Sequence, residues 1–252
     1  MKKLRRSMLF VPANNPGMIF QAPVFSPDCV IFDLEDAIPV REKDSARDLL
    51  VEAIKSIDFG KCEIFARTNP LYTPYGEDDV RALAHAGLKN YRLPMTESPE
   101  DIERMDMLLT ELEKEIGLES RSLKILGAIE TAKGVLNAPA IARSSDRLLG
   151  ISFGAEDFTR SMATERSKTG EEIYWARCHV VMAAMAAGID AIDTVFADLE
   201  DTEAFEKELK MAKQLGFCGK SLIHPSQINL VHKVFSPGSE EVHQAKRIID
   251  AM

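Results

Sequence analysis

Several common kinds of site are missing from this sequence. Its four cysteines, Cys29, Cys62, Cys178 and Cys218, are far apart, with no Cys-x-x-Cys and no neighbouring His pair. Neither a zinc site nor a dithiol redox motif is therefore encoded, and the apolar surroundings of the four predict reduced, buried thiols. No Lys/Arg block of five or more offsets the formal net charge of −9, which repels nucleic acid and anionic lipid. The opening "MKKLRRSMLFVP" is basic and then apolar, but the apolar run is only about five residues before Pro12 ends it, too short for a signal peptide or a membrane span. The expectation is a cytoplasmic protein that binds neither nucleic acid nor membrane. A Gly-x-Gly-x-x-Gly after the first apolar run is absent too, the chain reading "FVPANNPG" there, and no Walker A sequence appears.

What the chain does contain is alternation. With 45% hydrophobic and 28% charged residues it has the composition of a folded globular protein. Short runs rich in Val, Ile, Leu and Phe predict eight strands, over 7–12, 29–35, 63–69, 91–94, 124–130, 148–154, 191–196 and 219–225. Helical periodicity fills the gaps. "REKDSARDLLVEAIKS" carries Ala46, Leu49, Leu50, Ala53, Ile54 and Ile57 on one stripe, "SPEDIERMDMLLTELEKEIG" opens with a Ser-Pro start signal, and 170–187 reads likewise. Such alternation without a linker implies a parallel α/β sheet, either open and doubly wound or closed. The count of eight favours a single (β/α)8 TIM barrel over residues 1–235, with 236–252 a C-terminal helix.

In this architecture functional groups gather at the C-terminal ends of the strands. Strand two runs into Asp33, Glu35 and Asp36; strand three carries Arg67 and Asn69; strand five ends at Glu130; strand six leads to Glu156 and Asp157; strand eight ends at His224. Taken singly, each has an ordinary explanation as a solvated loop acid, a core arginine with a local partner, or a helix cap. Taken together they share one rim. Oxygen donors without paired His or Cys select a hard divalent cation, best Mg2+, which also relieves the repulsion among crowded carboxylates. An arginine on that rim suits a bidentate grip on a carboxylate. The combination points to a small carboxylic acid chelated to Mg2+, with the metal acting as a Lewis acid.

The motifs "RRSMLFVPANNPGM", "DCVIFDLEDAIPVREKDSAR", "RTNPLYTPYGEDD", "GAIETAKGVLNAPAIA", "GAEDF", "YWARCHVVMAAMAAGIDAIDTVF" and "LGFCGKSLIHPSQI" together resemble the family of citrate lyase beta subunits and the malyl-CoA and citramalyl-CoA lyases, over about residues 5–235. The resemblance implies a (β/α)8 barrel, a Mg2+ ion and a homo-oligomer, trimer or hexamer. It also implies a reverse Claisen reaction that breaks a carbon-carbon bond between a 2-oxo acid and an acyl thioester carried by CoA or an acyl-carrier protein. The metal carboxylates then correspond to Glu130 and Asp157, and the oxo-acid-gripping arginine to Arg67. Asp33, Glu35 and Asp36 surround the metal's waters, Ile223 and His224 line the thioester, and Phe10 meets the substrate.

Two departures stand out. Where relatives show Leu-Pro-Lys after strand four, this chain has Leu93-Pro94-Met95, which removes a cation expected to face the acidic rim. The family pattern also continues past the position of Met252 into a Gly-rich lid that can supply a catalytic Asp, so 236–252 reads as the start of a truncated or absent lid. The leading expectation is a citryl thioester lyase, either as a homo-oligomer or as part of a citrate lyase complex. A citramalyl-CoA or malyl-CoA lyase and a non-catalytic paralogue are the alternatives.

Overall fold

The computed structural model describes residues 3–250. Eight parallel strands close on themselves in sequence order: β1 (Ser7–Pro12), β2 (Cys29–Asp33), β3 (Glu63–Arg67), β4 (Asn90–Leu93), β5 (Lys124–Ile129), β6 (Leu148–Phe153), β7 (Asp190–Asp193) and β8 (Gly219–Leu222). The helices are α1 (Pro16–Gln21), α2 (Lys43–Ser56), α3 (Gly76–Ala86), α4 (Pro99–Ile116), α5 (Ala132–Ile141), α6 (Ala155–Ser161), α7 (Glu171–Ala187), α8 (Thr202–Leu215), α9 (Ile228–Phe235) and α10 (Ser239–Asp250).

Each strand is buried on both faces, which explains why the runs read as continuously apolar and not as alternating. Met8, Cys29, Ile31, Phe65, Leu126 and Ile192 form a small cluster of their own inside the barrel. The much larger cluster lies between strands and helices. On α2, Ala46, Leu50 and Ala53 are buried at helical spacing, as its stripe predicts. The start of α4 is fixed by a capping box between Ser98 and Asp101, and its end by Gly117 at φ 77°.

The strands end sooner than the apolar runs indicate. β2 stops at Asp33, β3 at Arg67, β7 at Asp193 and β8 at Leu222. The reason is visible after β2: the Glu35 N–H turns back to Asp33 Oδ1 at 3.0 Å, so a side chain takes over from the strand ladder. Of the four cysteines, all free, only Cys29 is fully buried; Cys62, Cys178 and Cys218 are half-buried. Among the described residues no helix is long and apolar enough to cross a membrane. Beyond α9, helix α10 is exposed along almost its whole length.

Candidate active site at the C-terminal rim

Strand register assembles the site's floor. Asp33, Arg67 and Arg92 are direct partners in the ladder from β2 through β3 to β4. Phe10, Asp33 and Arg67 each lie two residues beyond an inward-facing Met8, Ile31 or Phe65, so the two-residue strand period points them along the same interior. With Glu130, Asp157, Ser221 and Ile223 they line a cleft of about 470 Å³ at the strand ends.

Arg67 is held hard. Its Nε and Nη2 donate to the two oxygens of Asp33, both at 2.7 Å. Its Nη1 meets Glu35 at 3.0 Å and Asp36 at 3.4 Å. Asp33 also accepts the backbone N–H groups of Glu35 and Ala37. Burial pushes the Asp33 carboxyl up, but the Arg67 fork outweighs it and holds the group below its usual range. Burial pushes the half-buried Glu35 up to about 8, against the pull of Arg67 and helped by Glu130, Asp36 and Asp33. Lys43 completes this loop, its Nζ donating to the carbonyls of Leu34 at 2.8 Å and Glu35 at 2.5 Å. The three carboxylates crowded after β2 therefore survive by local compensation.

Glu130 is buried directly after β5. The Met95 N–H donates to its Oε2 at 2.8 Å, and Arg92 Nη2 lies 3.9 Å from Oε1. Burial raises its carboxyl above the ordinary range, and Asp157 adds to this against the opposing Arg92, Arg67 and Met95 N–H. Gly154 makes its position possible: a Cβ there would fall 2.6 Å from Glu130 Cγ and 2.9 Å from Oε1. Asp157 projects from the first turn of α6 and accepts from Arg160 Nη1 at 2.5 Å.

These residues suit a hard divalent ion. The donors facing the cleft are oxygens, and a buried carboxylate short of positive charge is what such an ion relieves. Among the described residues no three His, Cys, Asp or Glu side chains form a ready-made cage. Two carboxylates, with water or substrate oxygens in the other positions, match the way Mg2+ is usually held.

Sequence reasoning passed over Arg92. It is 3% exposed, its Nε has no hydrogen-bond partner, and its Nη1 reaches only Ser221 Oγ at 3.4 Å. Burial lowers it to about 10, against the pull of Glu130 and helped by repulsion from Arg67. Both guanidiniums lie 5.0 Å from the Phe10 ring centroid, a cation–π arrangement that fixes them about one aromatic ring. The signal available in sequence was the phase of "NYRL", which aligns Arg92 with the inward Arg67.

Other expected residues are placed differently. Ile223 lines the cleft, whereas the exposed His224 turns its ring to Ser226, with Nδ1 2.8 Å from Ser226 Oγ and accepting the Ser226 N–H at 3.2 Å. Asn69 is buried, donating to Asp79 and to the Leu34 carbonyl, and so supports the loop after β2. Glu156 lines the cleft and pairs with Arg166 at 3.3 Å. Met95 adopts φ 50°, a left-handed conformation costing a non-glycine residue about 1 kcal/mol. Its side chain lines a separate small cleft beside Leu71 and Tyr72. Its backbone N–H is what serves Glu130, and a buried cation, Arg92, already stands on the same strand.

Known proteins resemble this chain in sequence and in fold. The chain is 48% identical over 249 residues to the citrate lyase subunit beta of Haemophilus influenzae, covering 99% of this chain and 86% of that one. It is 32% identical over 257 residues to human mitochondrial citramalyl-CoA lyase, covering 98% and 75%. The solved structure of CitE from Mycobacterium tuberculosis in complex with magnesium, acetoacetate and coenzyme A superposes with a TM-score of 0.81 at 29% identity, covering 100% of this chain and 88% of that one. The family signature HpcH/HpaI aldolase/citrate lyase matches residues 6–225, and the chain belongs to that family.

Proposed function

We propose that this cleft performs the Mg2+-dependent cleavage of a citryl thioester to oxaloacetate and an acetyl thioester. The observation that carries the reading is Glu130, a buried carboxylate whose paired cation, Arg92, stands 3.9 Å off, in one cleft with Asp157 and Arg67. It is supported by the 48% identity to a citrate lyase subunit beta and by the magnesium in the Mycobacterium structure. Glu130 and Asp157 would hold the ion, which when bound supplies Lewis-acid polarisation of a substrate oxygen.

The chain's own residues do the rest. Arg67, oriented by Asp33, presents its guanidinium toward a substrate carboxylate and neutralises charge there. Phe10 keeps both arginines in place and excludes water from beneath them. Ile223 offers an apolar wall near the mouth, where the thioester arm enters. Breaking the carbon-carbon bond removes the hydroxyl proton, leaves its oxygen as the ketone of the 2-oxo acid, and returns a proton to the acetyl carbon. CoA and an acyl-carrier protein both satisfy this chemistry as the thioester's carrier. A homo-oligomer, or a place in a citrate lyase complex, belongs to the same reading: α7 leaves Trp175, Met182 and Met185 exposed.

Likeness to the human citramalyl-CoA lyase supports a second reading with the same reaction class and a citramalyl or malyl thioester. Release of 2-oxo acid from citryl-CoA, citramalyl-CoA and malyl-CoA, followed with and without Mg2+, separates the two. Cleavage of citryl-CoA at the highest kcat/KM is expected, and absence of metal-dependent cleavage of all three overturns both.

A further inference from the structure

Two arginines face the cleft, and their hydrogen bonding differs. Arg67 has its Nε and Nη2 on Asp33 and its Nη1 on Glu35 and Asp36, so little of its donor capacity is left. Arg92 is just as deep, yet its Nε is unpartnered, its Nη1 has one 3.4 Å contact and its Nη2 lies 3.9 Å from the nearest carboxylate oxygen. A buried guanidinium is normally saturated, because each unmet donor has lost its water without replacement. Arg92 is therefore a planar guanidinium with unmet donor capacity, held over Phe10 and lining the cleft.

We propose that Arg92 binds the second carboxylate of a dicarboxylic 2-oxo acid and so selects for it over monocarboxylic analogues. The proposal rests on the lyase reading and deepens it. In that reading the carboxylate next to the reacting carbon would be held by the ion at Glu130 and Asp157, with the positive charge of Arg67 beside it. A substrate yielding a dicarboxylic oxo acid brings one more carboxylate than a substrate yielding a monocarboxylic one, and that group needs its own cation in a dry site. Of the two arginines lining the cleft, Arg92 is the one that keeps spare donors of the fork geometry that carboxylates prefer. Binding there turns an under-satisfied arginine into a satisfied one, while a methyl group in the same place leaves the donors bare.

Oxaloacetate and 2-oxobutyrate differ only in a terminal carboxylate against a methyl, and they are the probes. Their dissociation constants for the full chain are measured by calorimetry with Mg2+ present. Wild type is expected to favour oxaloacetate by roughly 100-fold. Arg92→Met should reduce that preference to within about threefold through weaker oxaloacetate binding, with 2-oxobutyrate essentially unchanged. Equal affinity for the two ligands in wild type, or an undiminished preference in Arg92→Met, overturns the proposal, as does equal loss of both ligands, which marks a purely structural arginine. If Arg92→Met does not fold, Arg92→Lys carries the test, since it keeps the charge but loses the fork. A preference at least threefold smaller is then expected, and an undiminished one overturns the proposal. The lyase reading stands or falls separately, on turnover of citryl-CoA by wild type.

Discussion

Arg147 and Arg92 are both almost fully buried arginines, at opposite ends of the barrel, and they are treated in opposite ways. Arg147 precedes β6 at the N-terminal end. Its Nε donates to Asp106 at 2.6 Å, its Nη1 to Glu113 at 2.6 Å and the Leu123 carbonyl at 3.0 Å, and its Nη2 to Thr110 and Glu113, both at 2.8 Å. The same end holds Arg5, forked onto Glu63 and bonded to Asp190. At the C-terminal end, Arg92 lacks a partner for Nε, and its Nη2 approaches Glu130 no closer than 3.9 Å. The N-terminal end satisfies these buried charges within the chain; the cleft end leaves some donor capacity unmet, at a cost in stability, as the proposed ligand site requires.

Removing charges at each end should break this contrast in opposite directions. The largest effect is expected for Glu130→Ala, a loss of activity on the order of 10⁴-fold, about 5 kcal/mol of transition-state stabilisation, together with loss of Mg2+ binding by calorimetry. Unchanged Mg2+ affinity would remove Glu130 from the metal site. Arg147→Met should lower the unfolding free energy by about 3–5 kcal/mol, because it strands Asp106 and Glu113, with Mg2+ affinity unaltered. A denaturation midpoint equal to wild type would refute the stabilising role of that cluster.

Finer changes sharpen the comparison. The three atoms nearest a Gly154→Ala methyl all belong to the Glu130 side chain, so the fold should survive while the carboxylate moves and Mg2+ affinity drops about 10–100-fold. An equal loss of thermal stability would point to backbone damage. Acid exposes the other end. Burial raises Glu113, but Arg147 and the N–H groups of Leu123 and Arg121 outweigh it and hold it at about 2, below its usual 4.5. A depressed carboxyl stabilises above its unfolded value and stops doing so as pH falls through the folded one. The stability difference between wild type and Glu113→Gln should therefore be largest above pH 5 and shrink between about 4.5 and 2; a difference constant with pH rules the pair out as its source. The smallest effect is expected for Asp36→Asn. This side chain is 66% exposed and 3.4 Å from Arg67, so roughly a twofold change in kcat/KM should follow, and a hundredfold loss would place Asp36 closer to the chemistry than its exposure implies.

Much of this was legible beforehand. The closed eight-stranded barrel followed from eight apolar runs separated by helical periodicity. Arg67, Glu130 and Asp157 stood among several polar residues that end or follow such runs, and only the family resemblance separated them from Asp33, Glu35, Asp36 and Glu156. Arg92 was hidden by its position inside a four-residue strand, where a charge reads as an interruption and not as a terminus. Met95 misled because its family counterpart is noted for its side chain, while here the left-handed backbone sends that side chain elsewhere and uses the N–H. His224 was expected beside Ile223 along the thioester, and here its imidazole caps the tight turn that begins at Pro225.

The order of strands and helices, the barrel's rim and the residue types available there were determined by the sequence alone, because side-chain period and turn chemistry act over a few residues. Which charges are spent and which are spare was decided only in three dimensions. Asp33 meets Arg67 across 34 positions of chain, and Arg147 meets Asp106 across 41. Hydrogen-bond saturation depends on such distances between residues remote in sequence, and no local pattern encodes them.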